Sequence, residues 1–121
     1  MLRRLLLPLA LLGIALVGAT AGHAKGSFDL KGEVYGNSMF KIEMTNSAGK
    51  KLTTVKAGTY RIKVEDKAAT HNFHLVGPGV NKQTSVAGKA ETIWTVKLRP
   101  GTYKYVCDPH ATMMRGSFKV V

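Results

Sequence analysis

Beyond its first two dozen residues the chain is written in short runs that alternate apolar and polar side chains, cut by turn-forming residues. In TYRIKVED, Tyr60, Ile62 and Val64 share one side and Arg61, Lys63 and Glu65 the other, which is the two-residue period of a half-buried strand. ETIWTVKL repeats the pattern with Trp94, Val96 and Leu98 facing the core, and GTYKYVC does so with Tyr103, Tyr105 and Cys107. SMFKIEMT reads the same way, so Met39 and Met44 are expected to pack as ordinary strand residues. The cuts fall at NSAGKK (46–51), KAGT (56–59), GPG (77–79), VAGK (86–89) and RPGT (99–102), which carry the Gly, Pro and Asn that reverse a chain. No amphipathic helix of normal length is visible. Several short strands at near-regular spacing predict an all-β domain, an antiparallel sandwich or barrel.

The first residues follow a different rule. MLRRLLLPLALLGIALVGATAGHA has two arginines, an apolar run from Leu5 to Val17 and small residues with Ala-x-Ala-like exits at Ala21 or Ala24. This is the layout of a secretory signal peptide. The run is interrupted by Pro8 and is shorter than the roughly 20 residues a membrane-spanning helix needs. Residues 1–24 are therefore expected to be removed, with residues 25–121 as a single domain in the periplasm or outside the cell. The Arg3-Arg4 pair alone does not argue for twin-arginine export.

Of the 18 lysines and arginines only Arg3 and Arg4 precede Lys25, which leaves 16 against 7 acidic residues, a formal charge of +9. A domain of about 97 residues can bury an adequate core without disulfides, and a single cysteine cannot form one internally. The usual fate of such a cysteine is that of a small buried hydrophobe. The neighbours of Cys107 point further: YVCDPHATMMRGSF places Cys107, His110, Met113 and Met114 within eight positions.

Strand parity brings a distant histidine to the same place. In HNFHLV, His71 shares a face with Phe73 and Leu75, so if those two face the core, His71 does too and His74 points outward as a surface residue. Cys107 lies on the inward face of Tyr103 and Tyr105. An inward histidine at a strand start and an inward cysteine at a strand end can meet at one pole of a sandwich. Two histidines and a cysteine in a plane with a weak axial methionine form a blue-copper electron-transfer site. Cys107, His110 and Met114 come from one loop, turned by Pro109, and His71 comes from afar.

On these residues, the HN pair of HNFHL and a Cys-x-x-His loop ending in Met114-Arg115-Gly116, the sequence resembles the cupredoxins, the small blue copper proteins. The resemblance spans the mature chain and implies a Greek-key β-sandwich binding one type 1 copper. It further implies His71, Cys107, His110 and Met114 as ligands, with Asn72 bracing the cysteine loop by hydrogen bonding. Plastocyanin-like loops have one more residue between His and Met, and amicyanin-like loops one fewer, which leaves Met113 and Met114 both arguable. The Met-x-Gly ending and the parity of Met114 with Gly116, Phe118 and Val120 favour Met114. Asp108 is either a solvated loop acid or the acceptor of a hydrogen bond from Asn72.

Three functions compete. A one-electron carrier would pass electrons through the edge of His110, framed by Pro109, Ala111 and Met113. An envelope copper-binding or copper-delivery protein would use the same ligands, although the mature chain lacks the Met- and His-rich tracts of a dedicated carrier. An enzyme with Cys107 as nucleophile explains neither the Met-x-Gly ending nor the inward thiol. Zinc suits Cys and two His about as well as copper, but a thioether donor favours copper. The expected partners are redox proteins with an acidic docking surface, met by a monomer whose lysines are scattered. Nucleic acid is not expected, because no aromatic ribbon accompanies the basic residues, and no integral membrane span is expected once the signal is removed.

Overall fold

The computed structural model describes residues 26–121. The expected signal segment, residues 1–24, and the start of the mature domain at Lys25 lie outside the described residues. Nine strands make up most of the described chain: β1 (Leu30–Val34), β2 (Ile42–Asn46), β3 (Thr54–Val55), β4 (Gly58–Asp66), β5 (His74–Gly77), β6 (Val80–Gln83), β7 (Ala90–Leu98), β8 (Gly101–Val106) and β9 (Arg115–Val120). A 3-10 turn at Asp108–His110 is the single helical element among the described residues. Among those residues no helix is long and apolar enough to cross a membrane.

The strands form two sheets, one ordered β2-β1-β4-β7 and the other β3-β9-β8-β5-β6. The expected sandwich is thus present. Most neighbours pair antiparallel, while β1 with β4 and β3 with β9 run parallel, as strands linked across the sandwich rather than by hairpins can do. Alternation explains what lies between the layers. Ile62 and Val64 of β4, Val96 and Leu98 of β7, Tyr103 and Tyr105 of β8, and Phe118 and Val120 of β9 are all buried, whereas Lys104, Lys97 and Lys119 are exposed between them. Trp94 packs partly buried against this core.

Two readings of element boundaries change. Strand β5 starts only at His74, so His71–Phe73 is an irregular segment leading into it. Strand β2 starts at Ile42, so Met44 is buried as expected but Met39 is half exposed in the loop before it. The reason lies in the β1–β2 hairpin: Tyr35 N–H donates to the Lys41 carbonyl and Met39 N–H to that of Gly36, which folds 36–40 into a loop tip.

The aromatic core also dictates a glycine. Gly116 is in register with Tyr105 on the neighbouring strand, and a Cβ built on it would lie 2.3 Å from the Tyr105 ring and hydroxyl. The glycine that closes Met-x-Gly is therefore required by packing: the Tyr105 ring lies flat over a bare backbone directly below the cysteine loop. Gly116→Val is expected to lower the unfolding free energy by roughly 1–3 kcal/mol, the usual range for overpacking. Gly88→Ala, where a Cβ meets nothing within 4 Å, should shift it by no more than about 0.5 kcal/mol. Urea denaturation of both variants checks the contrast.

Candidate metal centre

At one pole of the sandwich the chain delivers three soft donors to a common point. His71 arrives on the segment between β4 and β5, held by a buried polar clamp. Asp66, the last residue of β4, accepts hydrogen bonds from the Thr84 hydroxyl at 2.7 Å and from Ala68 N–H at 3.2 Å. The same Thr84 hydroxyl accepts from Phe73 N–H at 2.8 Å, and Thr84 N–H donates to the Phe73 carbonyl at 2.9 Å. The clamp fixes Phe73, and Phe73 fixes His71 two residues earlier. Burial pushes the Asp66 carboxyl above its ordinary range, against the pull of those hydrogen bonds.

Cys107 follows β8 directly and caps the 3-10 turn Asp108–His110, which has Pro109 in its first turn. The loop is closed by its own backbone: His110 N–H donates to the Cys107 carbonyl, Met114 N–H to that of His110, and Cys107 N–H back to that of Met114, all at 2.8–3.0 Å. This wrap returns the chain into β9 with Met114 fully buried and Met113 63% exposed.

The donor atoms of His71, Cys107 and His110 lie within 4.8 Å of one another. His71 Nδ1 stands 3.0 Å from His110 Nδ1, and Cys107 Sγ lies 3.7 Å and 3.5 Å from those two nitrogens. The centre of such a triangle lies about 2 Å from each corner, close to metal–nitrogen and a little short of metal–thiolate bonding distance. His71 and Cys107 are buried, and His110 is partly exposed. The Nε2 atom of His71 is buried without a hydrogen-bond partner. A proton there frees Nδ1 to aim its lone pair at the triangle, at a desolvation cost of about 1–3 kcal/mol. Convergent lone pairs, a buried thiol and an unpaired ring nitrogen suit a soft cation and have no evident use without one.

The second layer is built from residues adjacent to the donors. Asn72 Nδ2 donates to Asp108 Oδ2 at 2.7 Å, and Asp108 N–H donates to Asn72 Oδ1 at 2.8 Å, so the residue after His71 and the residue after Cys107 hold each other. Of the two readings of Asp108, the hydrogen-bonded one describes its geometry. His74 lies outside the triangle, facing outward as its parity requires, but it is not a bare surface residue. Its Nδ1 lies 2.9 Å and 3.0 Å from the Asp108 carboxylate oxygens and its Nε2 2.6 Å from Asn81 Oδ1.

Pro109, Ala111 and Met113 are exposed around His110. The sequence reading missed Phe40, which leans from the β1–β2 loop over both histidines with ring centroids 5.5 Å from His71 and 5.1 Å from His110. Its alternation with Ile42 and Met44 resembles a strand, and the signal that could have revealed it is the Gly36-Asn37 turn just before.

These features define a small all-β protein with a preformed site for one soft metal ion between its loops. Residues 35–121 match the model of the copper binding proteins of the plastocyanin/azurin family. The chain is 33% identical over 106 residues to amicyanin-alpha from Methylorubrum extorquens, covering 83% of this chain and 87% of that one. Its fold is similar to a point mutant of rusticyanin, with a TM-score of 0.54 at 20% identity over 76% of each chain. Reduced rusticyanin aligns with a TM-score of 0.51 at 19% identity, covering 76% of this chain and 77% of that one. The chain belongs to the plastocyanin/azurin family of copper-binding proteins, the cupredoxins, and copper is its metal.

The site's electrostatics give a pH signature. His74 is held above its ordinary 6.5: burial opposes the charge, but hydrogen bonds with Asp108 and Asn81 and the Asp108 charge outweigh it. Asp108 is held below its ordinary 3.8: burial opposes ionisation, but Asn72 and His74 outweigh that. The stability His74 contributes is complete below about pH 6.5 and lost as pH rises through its raised value, while that of Asp108 is complete above about pH 4 and lost on acidification. Metal-free protein should therefore exceed His74→Gln in urea midpoint most clearly near pH 5.5, with the gap closing by pH 9. A gap of constant size across that range would mean that the ion pair contributes nothing.

Proposed function

We propose that the chain is an exported type 1 copper protein that carries single electrons between protein partners, with His71, Cys107 and His110 as the strong ligands and Met114 as the weak axial one. The observation that carries this reading is the convergence of Cys107 Sγ with the Nδ1 atoms of His71 and His110, buried except at the edge of His110. Copper, when bound there, supplies a one-electron couple. The chain supplies a fixed donor set, and transfer is fast when ligands need not rearrange. Cys107 and His71 are enclosed by packing and by the Asn72–Asp108 hydrogen bonds. His110 provides the exit toward a patch of Pro109, Ala111, Met113 and Phe40. An enzymatic role for Cys107 as nucleophile is disfavoured by its complete burial. Export rests on the signal-like sequence of residues 1–24, with cleavage near Ala21 or Ala24, and leads to the periplasm or beyond.

Copper(II) added to the purified mature protein should give an intense visible thiolate-to-copper band, which Cys107→Ala abolishes and His74→Ala retains. A band surviving Cys107→Ala, or lost in His74→Ala but not in His71→Ala, would refute this ligand set. Burial separates the methionines. Met114→Leu should keep the band and move the reduction potential, because a weak axial donor tunes the couple more than it anchors the metal. Met113→Leu should move it far less, and the reverse ranking would give the axial role to Met113.

The distribution of charge supports acidic redox partners. Glu33, Glu43, Glu65 and Glu91 lie on the β2-β1-β4-β7 sheet, where Lys31, Lys41, Lys63 and Lys67 pair with them at 2.8–3.7 Å. The outward positions of the other sheet hold Lys104, Arg115 and Lys119 and no carboxylate. Electron transfer to an acidic acceptor should slow steeply as ionic strength rises from about 0.01 to 0.1 M, where the screening length shrinks from about 30 to 10 Å. Transfer to a basic acceptor should accelerate. Rates flat in salt for both would show that the lysines only solvate the fold.

A further inference from the structure

His74 is the second histidine of HNFH and takes no part in the donor triangle, yet both of its ring nitrogens face oxygen. Nδ1 meets the Asp108 carboxylate at 2.9 and 3.0 Å, and Nε2 meets Asn81 Oδ1 at 2.6 Å. Carboxylate and amide oxygens only accept hydrogen bonds, so in this arrangement the ring satisfies both as a doubly protonated imidazolium. Asp108 is the charged group that faces it. The residues in register with His74 on the adjoining strands are Gln83 and Val106, both uncharged. Lys82 and Lys104 are in register with Leu75 and Val76 instead, and Arg115 stands one strand further on, opposite Val106.

The pairing matters because of where Asp108 sits. Its side chain is 43% exposed, it follows Cys107 directly, and it accepts from Asn72, the neighbour of His71. A half-exposed carboxylate with one amide partner can turn to water. One gripped from the other side by a cation that is itself anchored to Asn81 cannot turn without breaking a charge-assisted bond. The chain Asn81–His74–Asp108–Asn72 thus runs from β6 across β5 to the segment that carries His71, and it crosses the cysteine loop on the way.

We propose that His74 is a positioning residue for the copper site: anchored by Asn81, it fixes and neutralises the Asp108 carboxylate so that the loop bearing Cys107 and His110 stays closed against Asn72. The proposal rests on the ligand reading above for its effect on copper, whereas its effect on the loop is separate and is measured without metal. In the metal-free protein His74 keeps Cys107 shielded, and in the copper-loaded protein it neutralises the negative charge that Asp108 places next to the thiolate.

The test measures the rate at which Cys107 in metal-free protein reacts with Ellman's reagent, and the reduction potential of the copper-loaded protein. His74→Ala should react roughly tenfold faster or more, the scale of losing one hydrogen bond to a charged group, with a lowered potential. His74→Gln, which keeps a donor toward Asp108, should recover part of the shielding but not the potential. In an Asp108→Asn background His74→Ala should add nothing to either readout. Unchanged thiol rates in His74→Ala, or effects that simply add in the double variant, would overturn the proposal. A faster thiol reaction in a protein that fails to develop the blue band would uphold the positioning role and refute the copper ligand set instead.

Discussion

The site depends on the reciprocal hydrogen bonds between Asn72 and Asp108. Each of these residues follows a donor in sequence, Asn72 after His71 and Asp108 after Cys107, so holding the two together holds the donors together. One bond uses the Asn72 amide as donor and the other uses it as acceptor, which fixes the relative orientation of the two segments as well as their distance. Without this pair, the segments of His71 and Cys107 would be joined only further along, by the contact of His74 with Asp108 and by the pairing of β5 with β8. The clamp of Asp66 and Thr84 beneath Phe73 and the backbone wrap of the cysteine loop from Cys107 to Met114 act around this pair, each making one of its sides rigid.

This rigidity has an energetic cost that the sandwich offsets. A buried imidazole with an unpaired nitrogen and a buried carboxylate are each unfavourable alone. They are tolerated at one pole because the rest of the interior is apolar and densely aromatic, with Phe73 stacked on Tyr105 and Tyr103 on Phe118. Tyr105 connects the two requirements: its ring covers Gly116 of β9, two residues beyond Met114 where the cysteine loop closes, so core packing sits directly beside the loop's return. Charge is similarly divided. The glutamates of one sheet are paired with lysines, while the outward positions of the other carry basic residues and no carboxylate.

The parts of this arrangement legible in the sequence are those governed by strand alternation. Tyr103, Tyr105 and Cys107 face inward because they fall two apart on β8, and Phe73 with Leu75 carry His71 inward by the same rule, although that segment is irregular before His74. The burial of Met114 and exposure of Met113 follow the parity that β9 continues through Phe118 and Val120. What alternation cannot reveal are contacts between loops. Phe40 looked like one more strand residue because its spacing to Ile42 and Met44 is even, and only the hairpin hydrogen bonds at Gly36 and Tyr35 turn it and Met39 outward. His74 was legible as outward-facing, but its grip on Asp108 depends on the distance between the start of β5 and the cysteine loop, 34 residues apart in sequence. The parallel pairing of β1 with β4 is hidden for the same reason, since no local signal states which sheet a strand joins.

Copper K-edge X-ray absorption on the loaded protein, recorded in both oxidation states, examines the preformed triangle itself. A rigid set of His71, Cys107 and His110 requires one sulfur and two nitrogens at bonding distance in each state, with almost no change in their distances on reduction. A nitrogen or the sulfur lost from the coordination shell on reduction, or a shell of oxygen and nitrogen without close sulfur, would contradict a donor set held in place by Asn72 and Asp108.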